Sequence, residues 1–248
     1  LLTAAAAGVG MAGAGLGLQR LIRNPLASPD ILGMSAGATL ALVAYTVGTG
    51  VSIYEAGPGV AFLGSLAVLV MLLVLGRRSH YAPGIVILVG ISLAALMEAL
   101  VYFALAQGGD KSHLILGWLS GSTYRASLDR GLLLAGGVAV LVGLTLLLSR
   151  WLTLISIGDA MARGRGVSIG LARMTLLLLV CGLCALVTAL MGPVAFVGLL
   201  APHVAALLGA HRVRSQIVLA SMVGMGLMVL SDWLGSALLY PDQLPAGL

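Results

Sequence analysis

Few residues in this sequence have chemistry to offer, and their spacing limits what each can do. Glu98 stands inside the apolar run 83–106, where an acid could relay protons or hold a coupling ion. A charged side chain at the centre of a membrane costs ~2.5–3.5 kcal/mol on insertion scales, so Glu98 is expected to face protein or a water-filled path. With no Asp or Lys in the middle of the other apolar runs to pair with, a hydrogen bond to a neighbouring helix is the preferred reading. Cys181 and Cys184 form a C-x-x-C. Without a nearby His or further Cys, that spacing reads as helix packing rather than a metal or redox pair. His203 follows Pro202 and could titrate or bind a ligand. No second ligand type lies at i+3 or i+4, so a packed, hydrogen-bonded histidine is expected and no metal.

Enzyme signatures are missing. No G-x-x-x-x-G-K-[ST] occurs, and the only lysine, Lys111, follows Asp110, so ATP hydrolysis by the phosphate-loop route is excluded. H-E-x-x-H and paired carboxylates do not occur either. Any energy input must come from another subunit or an ion gradient.

The elements that carry these residues follow from composition. Of 248 residues, 60% are hydrophobic and 8% charged, against roughly 25% charged in a soluble domain. That predicts an all-α, polytopic transmembrane bundle. Spans are expected near 1–18, 31–50, 58–76, 83–106, 131–155, 173–191, 194–209 and 215–236. The piece 194–209 contains Pro202 and reads as a broken or partial crossing. The 35 glycines fit close helix packing, with Gly13/Gly17 and Gly33/Gly37 as candidate crossings. If the loop after the first span is cytoplasmic, the inner side holds Arg20, Arg23, Arg77, Arg78, Arg150, Arg163, Arg165, Arg173, Arg212 and Arg214. The outer side holds Lys111, Arg125 and Arg130. That bias orients the chain with Leu1 outside, and it accounts for the net charge of +5 without nucleic-acid binding. A further span is expected before Leu1.

Three connections are candidates for function. In Arg23–Gly33, Pro25 and Pro29 cannot continue a helix and Asp30 can cap the next one, so a tight turn suffices to explain it. The external stretch 107–130 includes Trp118. The inner loop 156–172 places Asp159 to cap a short helix through Ala160, Met161 and Ala162, followed by an Arg/Gly run. It reads equally as a helix that fits a socket on a soluble partner or as a solvated connector.

Four runs occur in this order: Arg23 to Ala38 (R-N-P-L-A-S-P-D-I-L-G-M-S-A-G-A), Trp118 to Tyr124 (W-L-S-G-S-T-Y), the inner G-D-A-M-A-R-G-R-G loop, and Phe196 to His203 (F-V-G-L-L-A-P-H). Together they resemble the permease subunits of ABC importers for ferric siderophores, haem and cobalamin, over essentially the whole chain. Within that family S-G-S-T-Y, Arg150-Trp151-Leu152-Thr153 and Ser231-Asp232-Trp233 look most like the ferric-hydroxamate (ferrichrome-type) permease, which carries two such halves in one polypeptide.

The resemblance implies one permease domain of ten spans per half, of which 1–248 would hold eight and lack the first and last. It implies a multi-pass protein of the bacterial cytoplasmic membrane, working with a second permease half, two ATPase subunits that carry ATP and Mg, and an extracytoplasmic binding protein. No cofactor is implied in this chain. The loop 156–172 would dock into the ATPase through Gly158, Asp159, Ala160, Arg163, Gly164 and Gly166, although Arg163-Gly164-Arg165 is more basic than usual. Asn24, Pro25, Pro29, Gly33, Ser35, Gly37 and Glu98 would belong to the path, and Gly198, Pro202 and His203 to a structural motif. Ser236 stands where many members have a basic residue that meets the binding protein, leaving Trp118, Arg125 and Arg130 for that contact. The expected function is import of a ferric siderophore, with haem or cobalamin as alternative cargo. The rival readings are an ion-coupled transporter working through Glu98 and a membrane scaffold that moves nothing.

Overall fold

The computed structural model describes residues 1–53, 55–77, 83–106, 112–119 and 127–238. In chain order the helices are α1 Leu2–Ile22, α2 Met34–Thr49, α3 Pro58–Arg77, α4 Pro83–Ala106, α5 Ser112–Leu119 and α6 Leu128–Leu147. They continue with α7 Ser149–Ile157, α8 Asp159–Gly164, α9 Ile169–Met191, α10 Val197–Leu207 and α11 Val213–Leu238. The described residues are helical with no strand. Six helices (α1, α3, α4, α6, α9 and α11) are long and apolar enough to cross a membrane.

The least hydropathic of the six lies innermost. The apolar window of α1 is 83% buried, against 28% for α4, α6 and α11. Its Ala- and Gly-rich surface explains the inversion: small residues let neighbouring backbones come close, and that contact replaces what bulky side chains would gain from lipid. A methyl on Gly8 would lie 2.1 Å from the carbonyl oxygen of Gly224 on α11, and one on Gly15 would lie 1.8 Å from that of Gly198 on α10. Pro202 has no N–H to bond the Gly198 carbonyl inside α10, and that oxygen is the one seated against Gly15. Gly13 and Gly17, expected at a backbone crossing, instead accept side chains of α6 and α9: Val142 and Leu183 at Gly13, Val180 at Gly17.

Two spans are discontinuous. α9 runs antiparallel to α1, since Val180 meets Gly17, Leu183 meets Gly13 and Val187 meets Gly10. The chain then leaves the helix at Gly192, passes through Phe196 with φ 64, and starts α10 at the level of Gly15. The other break is 23–33. Pro29 lies against Gly198, which also faces the Met11 carbonyl, so this segment climbs from the inner end of α1 to the level of Met11 and Gly15, about 12–18 Å at 1.5 Å per residue. It is a re-entrant segment and not the tight turn expected.

Unwound backbone at that depth requires internal partners. The N–H of Leu26 bonds Asn24 Oδ1 at 2.9 Å and that of Ile31 bonds Ser28 Oγ at 3.3 Å. The N–H groups of Ala27, Leu32, Gly33 and Met34 reach Asn24, Ser28, Asp30 and Pro29 carbonyls. The two prolines remove two donors from the account.

The expected span 131–155 divides at Leu148: α6 ends at Leu147 and a separate helix, α7, begins at Ser149. The piece 194–209 is broken as anticipated, with α10 only 11 residues long.

Candidate functional site

The inner loop folds around two glycines. Gly158 (φ 151) and Gly166 (φ 77) bracket the six-residue α8 and adopt backbone angles that side chains rarely tolerate. Ala162 is fully buried and anchors the loop, while Ile157 is 62% and Met161 48% exposed. Ala160, Arg163, Gly164 and Arg165 are exposed beside them. Two apolar side chains thus stand exposed on the loop that also exposes Arg163 and Arg165.

Asp159 does not cap α8, because its carboxylate is engaged elsewhere. Gly158 takes the cap position without a side-chain bond, and Asp159 Oδ1 accepts from Arg173 on α9 at 2.9 Å and from Arg23 at the end of α1. Arg23 adopts φ 57, and its Nε donates to the Ile155 carbonyl on α7 at 2.9 Å. One residue therefore closes α1, grips α7 and α8, and begins the re-entrant segment. Spacing gave no sign of this pairing, since the partners lie 136 and 14 residues from Asp159.

At the upper end of 23–33, Asp30 does not cap α2 either. Gly33 holds that position with φ 78 and no side-chain bond, while Ser35 Oγ donates to Asp30 Oδ1 at 2.5 Å and lies 3.3 Å from Cys184 Sγ. Asp30 Oδ2 is buried without a hydrogen-bond partner. Cys181 lies 3.8 Å from Met34 Sδ. Both cysteines are buried and free, so the C-x-x-C joins α9 to the start of α2 by packing. Ser35 and Gly37, expected along a path, are buried, and Gly33 closes on Ala94 of α4. These three hold helices together within the chain rather than facing an opening.

The remaining expected residues scatter. Glu98 is exposed on α4 beside Leu100, Tyr102 and Phe103, so it makes no buried bond to a neighbouring helix of this chain. His203 is exposed on α10, not packed. Trp118 is 3% exposed, in a cluster with Val101 and Ile115, and offers no surface for docking. Ser236 donates to the Trp233 carbonyl at 2.8 Å. Arg130 lies in the first turn of α6, its N–H bonded to Ser127 Oγ. Arg125, the whole S-G-S-T-Y run, Lys111 and Arg78 lie outside the described residues.

Three comparisons bear on this arrangement. The family model described as the FecCD transport family matches residues 1–248. The chain belongs to that family. It is accordingly a multi-pass protein of the cytoplasmic membrane and not itself an enzyme. As a family member it is similar to the iron(3+)-hydroxamate import system permease protein FhuB of Escherichia coli K12, with 37% identity over 100% of this chain and 38% of that protein. It resembles the Fe(3+)-citrate import system permease protein YfmE of Bacillus subtilis 168 at 32% identity, over 100% of this chain and 74% of that one. The chain thus spans under two fifths of FhuB and about three quarters of YfmE. A metal-chelate type ABC transporter solved in an inward-facing conformation superposes with TM-score 0.87 at 27% identity, covering 99% of this chain and 79% of the other. The discontinuous helices therefore belong to a permease fold.

Proposed function

We propose that this chain is the membrane half of an ATP-driven importer that carries a ferric siderophore of hydroxamate type from a binding protein into the cytoplasm. Hydroxamate cargo is supported by the 37% identity to the hydroxamate permease, against 32–34% to ferric citrate permeases. Two ATPase subunits, with ATP and Mg, would press on Ile157, Met161 and their basic surroundings. A second permease half would supply the other wall.

The observation that carries this reading is the Asp159 junction. A force on α8 reaches Arg23 through a charge-assisted bond, and Arg23 opens the only described segment that climbs unwound from the inner face to mid-membrane. There Pro29 and Gly198 bring the two discontinuous spans into contact, so the path can change shape at a place where no helix must bend. Glu98, exposed among apolar residues, belongs on a face that the second half or water covers, because lipid would penalise it. Arg125 and Arg130 would meet the binding protein.

The test is reconstitution of the complete parent protein with its ATPase and binding protein. ATP-dependent uptake of ferric hydroxamates in preference to ferric citrate is the expected result. Uptake that follows an ion gradient without ATP would replace this reading with the Glu98-coupled one.

A further inference from the structure

The inner edge carries a second feature, which borders the coupling loop at Ile157 and Arg165. A cavity of about 660 Å³ lies between α7, the end of α1 and the start of α11, lined by Arg20, Arg150, Arg165, Arg212, Arg214 and His211. Ion pairing on this side joins Asp159 to Arg23 and Arg173, and among the described residues none of the five cavity arginines is in an ion pair. Two are held by neutral acceptors: Arg20 Nε donates to Gln216 Oε1 at 3.1 Å and Arg214 Nε to Ser149 Oγ at 2.9 Å. Those bonds orient the guanidiniums and leave their charge unbalanced. The orientation bias of membrane proteins puts arginines on this side, but does not gather five of them around one concavity without an acid.

Arg214 also lines an adjoining cavity of about 510 Å³, whose other walls include Leu208, Val218, Leu219 and Met222. Leu208, Val218 and Met222 are 64%, 50% and 59% exposed. Met222 is nine residues past the start of α11, about 13 Å into the span. A polar, strongly cationic end thus continues into an apolar groove at hydrocarbon depth.

We propose that the two cavities together bind an anionic phospholipid of the inner leaflet, its phosphodiester among the arginines and an acyl chain along Val218 and Met222. Arginine forks match phosphate oxygens in bidentate geometry, and basic pockets between spans on the cytoplasmic side suit such headgroups. A soluble anion would leave the groove empty, and an acidic loop of an ATPase would not reach Met222.

The experiment uses the intact parent protein, stripped of lipid in neutral detergent. Native mass spectrometry and thermal unfolding are recorded with phosphatidylglycerol, phosphatidylcholine or inorganic phosphate. Retained phosphatidylglycerol adducts and a raised unfolding midpoint are expected, without either effect from phosphatidylcholine or phosphate at the same concentration. Arg150→Gln with Arg212→Gln, both exposed, is expected to weaken that binding at least tenfold, and Met222→Trp to weaken it by obstructing the groove. Equal stabilisation by phosphate alone, unchanged lipid binding in the arginine variant, or displacement of the lipid by the purified ATPase would each overturn the proposal.

Discussion

Asp159 on α8 and Arg23 at the end of α1 are joined by an ion pair that Arg173 of α9 shares at 2.9 Å. One carboxylate thereby fixes the six-residue α8 to the foot of the buried central helix and to the first turns of its antiparallel neighbour. The two residues are about a third exposed, Arg23 at 40% and Asp159 at 31% of the side chain, so water weakens the bond without abolishing it. Its value lies in the connection more than in stability.

Asp159→Asn keeps the shape and removes the charge. Stability measured by denaturation in detergent is expected to fall by no more than about 1 kcal/mol, while ATP-driven uptake falls at least tenfold. Loss of uptake and stability in proportion would make the pair structural only.

Gly158→Ala strains a backbone held at φ 151 and ψ 149, at a cost of ~1–3 kcal/mol. The cheapest relief is a rotated α8, so ATPase activity that no longer responds to cargo is expected with the complex still assembled. Gly136→Ala, at an ordinary helical position on α6 with open space around it, serves as the control and should leave coupling intact.

Substitution on α1 separates packing from composition. Gly15→Val places side-chain atoms into the Gly198 carbonyl and is expected to abolish folded protein, read by the yield of monodisperse material. Gly143→Ala on α6 meets nothing within 4 Å and should be neutral or slightly stabilising through helix propensity. Equal yields from the two would contradict the close approach of α1 and α10.

Ser35→Ala removes the hydroxyl that donates to Asp30 Oδ1, leaving both carboxylate oxygens buried without a side-chain donor. A loss of ~1–3 kcal/mol is expected, and adding Asp30→Asn should recover part of it by removing the charge. A double variant no more stable than Ser35→Ala would indicate that Asp30 is solvated in the folded protein.

Glu98→Gln distinguishes the sources of energy. In an ATP-driven importer the uptake rate should change by less than about threefold, because the residue sits on an exposed face and takes no part in the junction at Asp159. Abolished uptake with normal ATPase stimulation would assign ion coupling to Glu98.

Composition and pattern made the chain a helical membrane bundle, because 60% hydrophobic residues in long unbroken runs satisfy their backbone in lipid as helices and lack the alternation of a closed barrel. The arginines gave it an expected orientation, since each is costly to move across a membrane wherever the fold later places it. The broken piece around Pro202 was legible for a local reason: a missing N–H is a property of one residue. Motif order was enough to suggest the family.

What sequence could not supply were relationships between distant residues. Asp30 and Asp159 each sat where a cap belongs, yet tertiary partners won both: a buried hydroxyl for one, two guanidiniums for the other. A cap is a single local bond, and stronger charge-assisted partners displace it when the fold delivers them. Nor could hydropathy place α1 at the centre, because burial of a glycine-rich face depends on which backbones can approach it. That approach, Gly8 on Gly224 and Gly15 on Gly198, exists only once the helices are assembled, and it is what brings the re-entrant segment and the broken span to one depth.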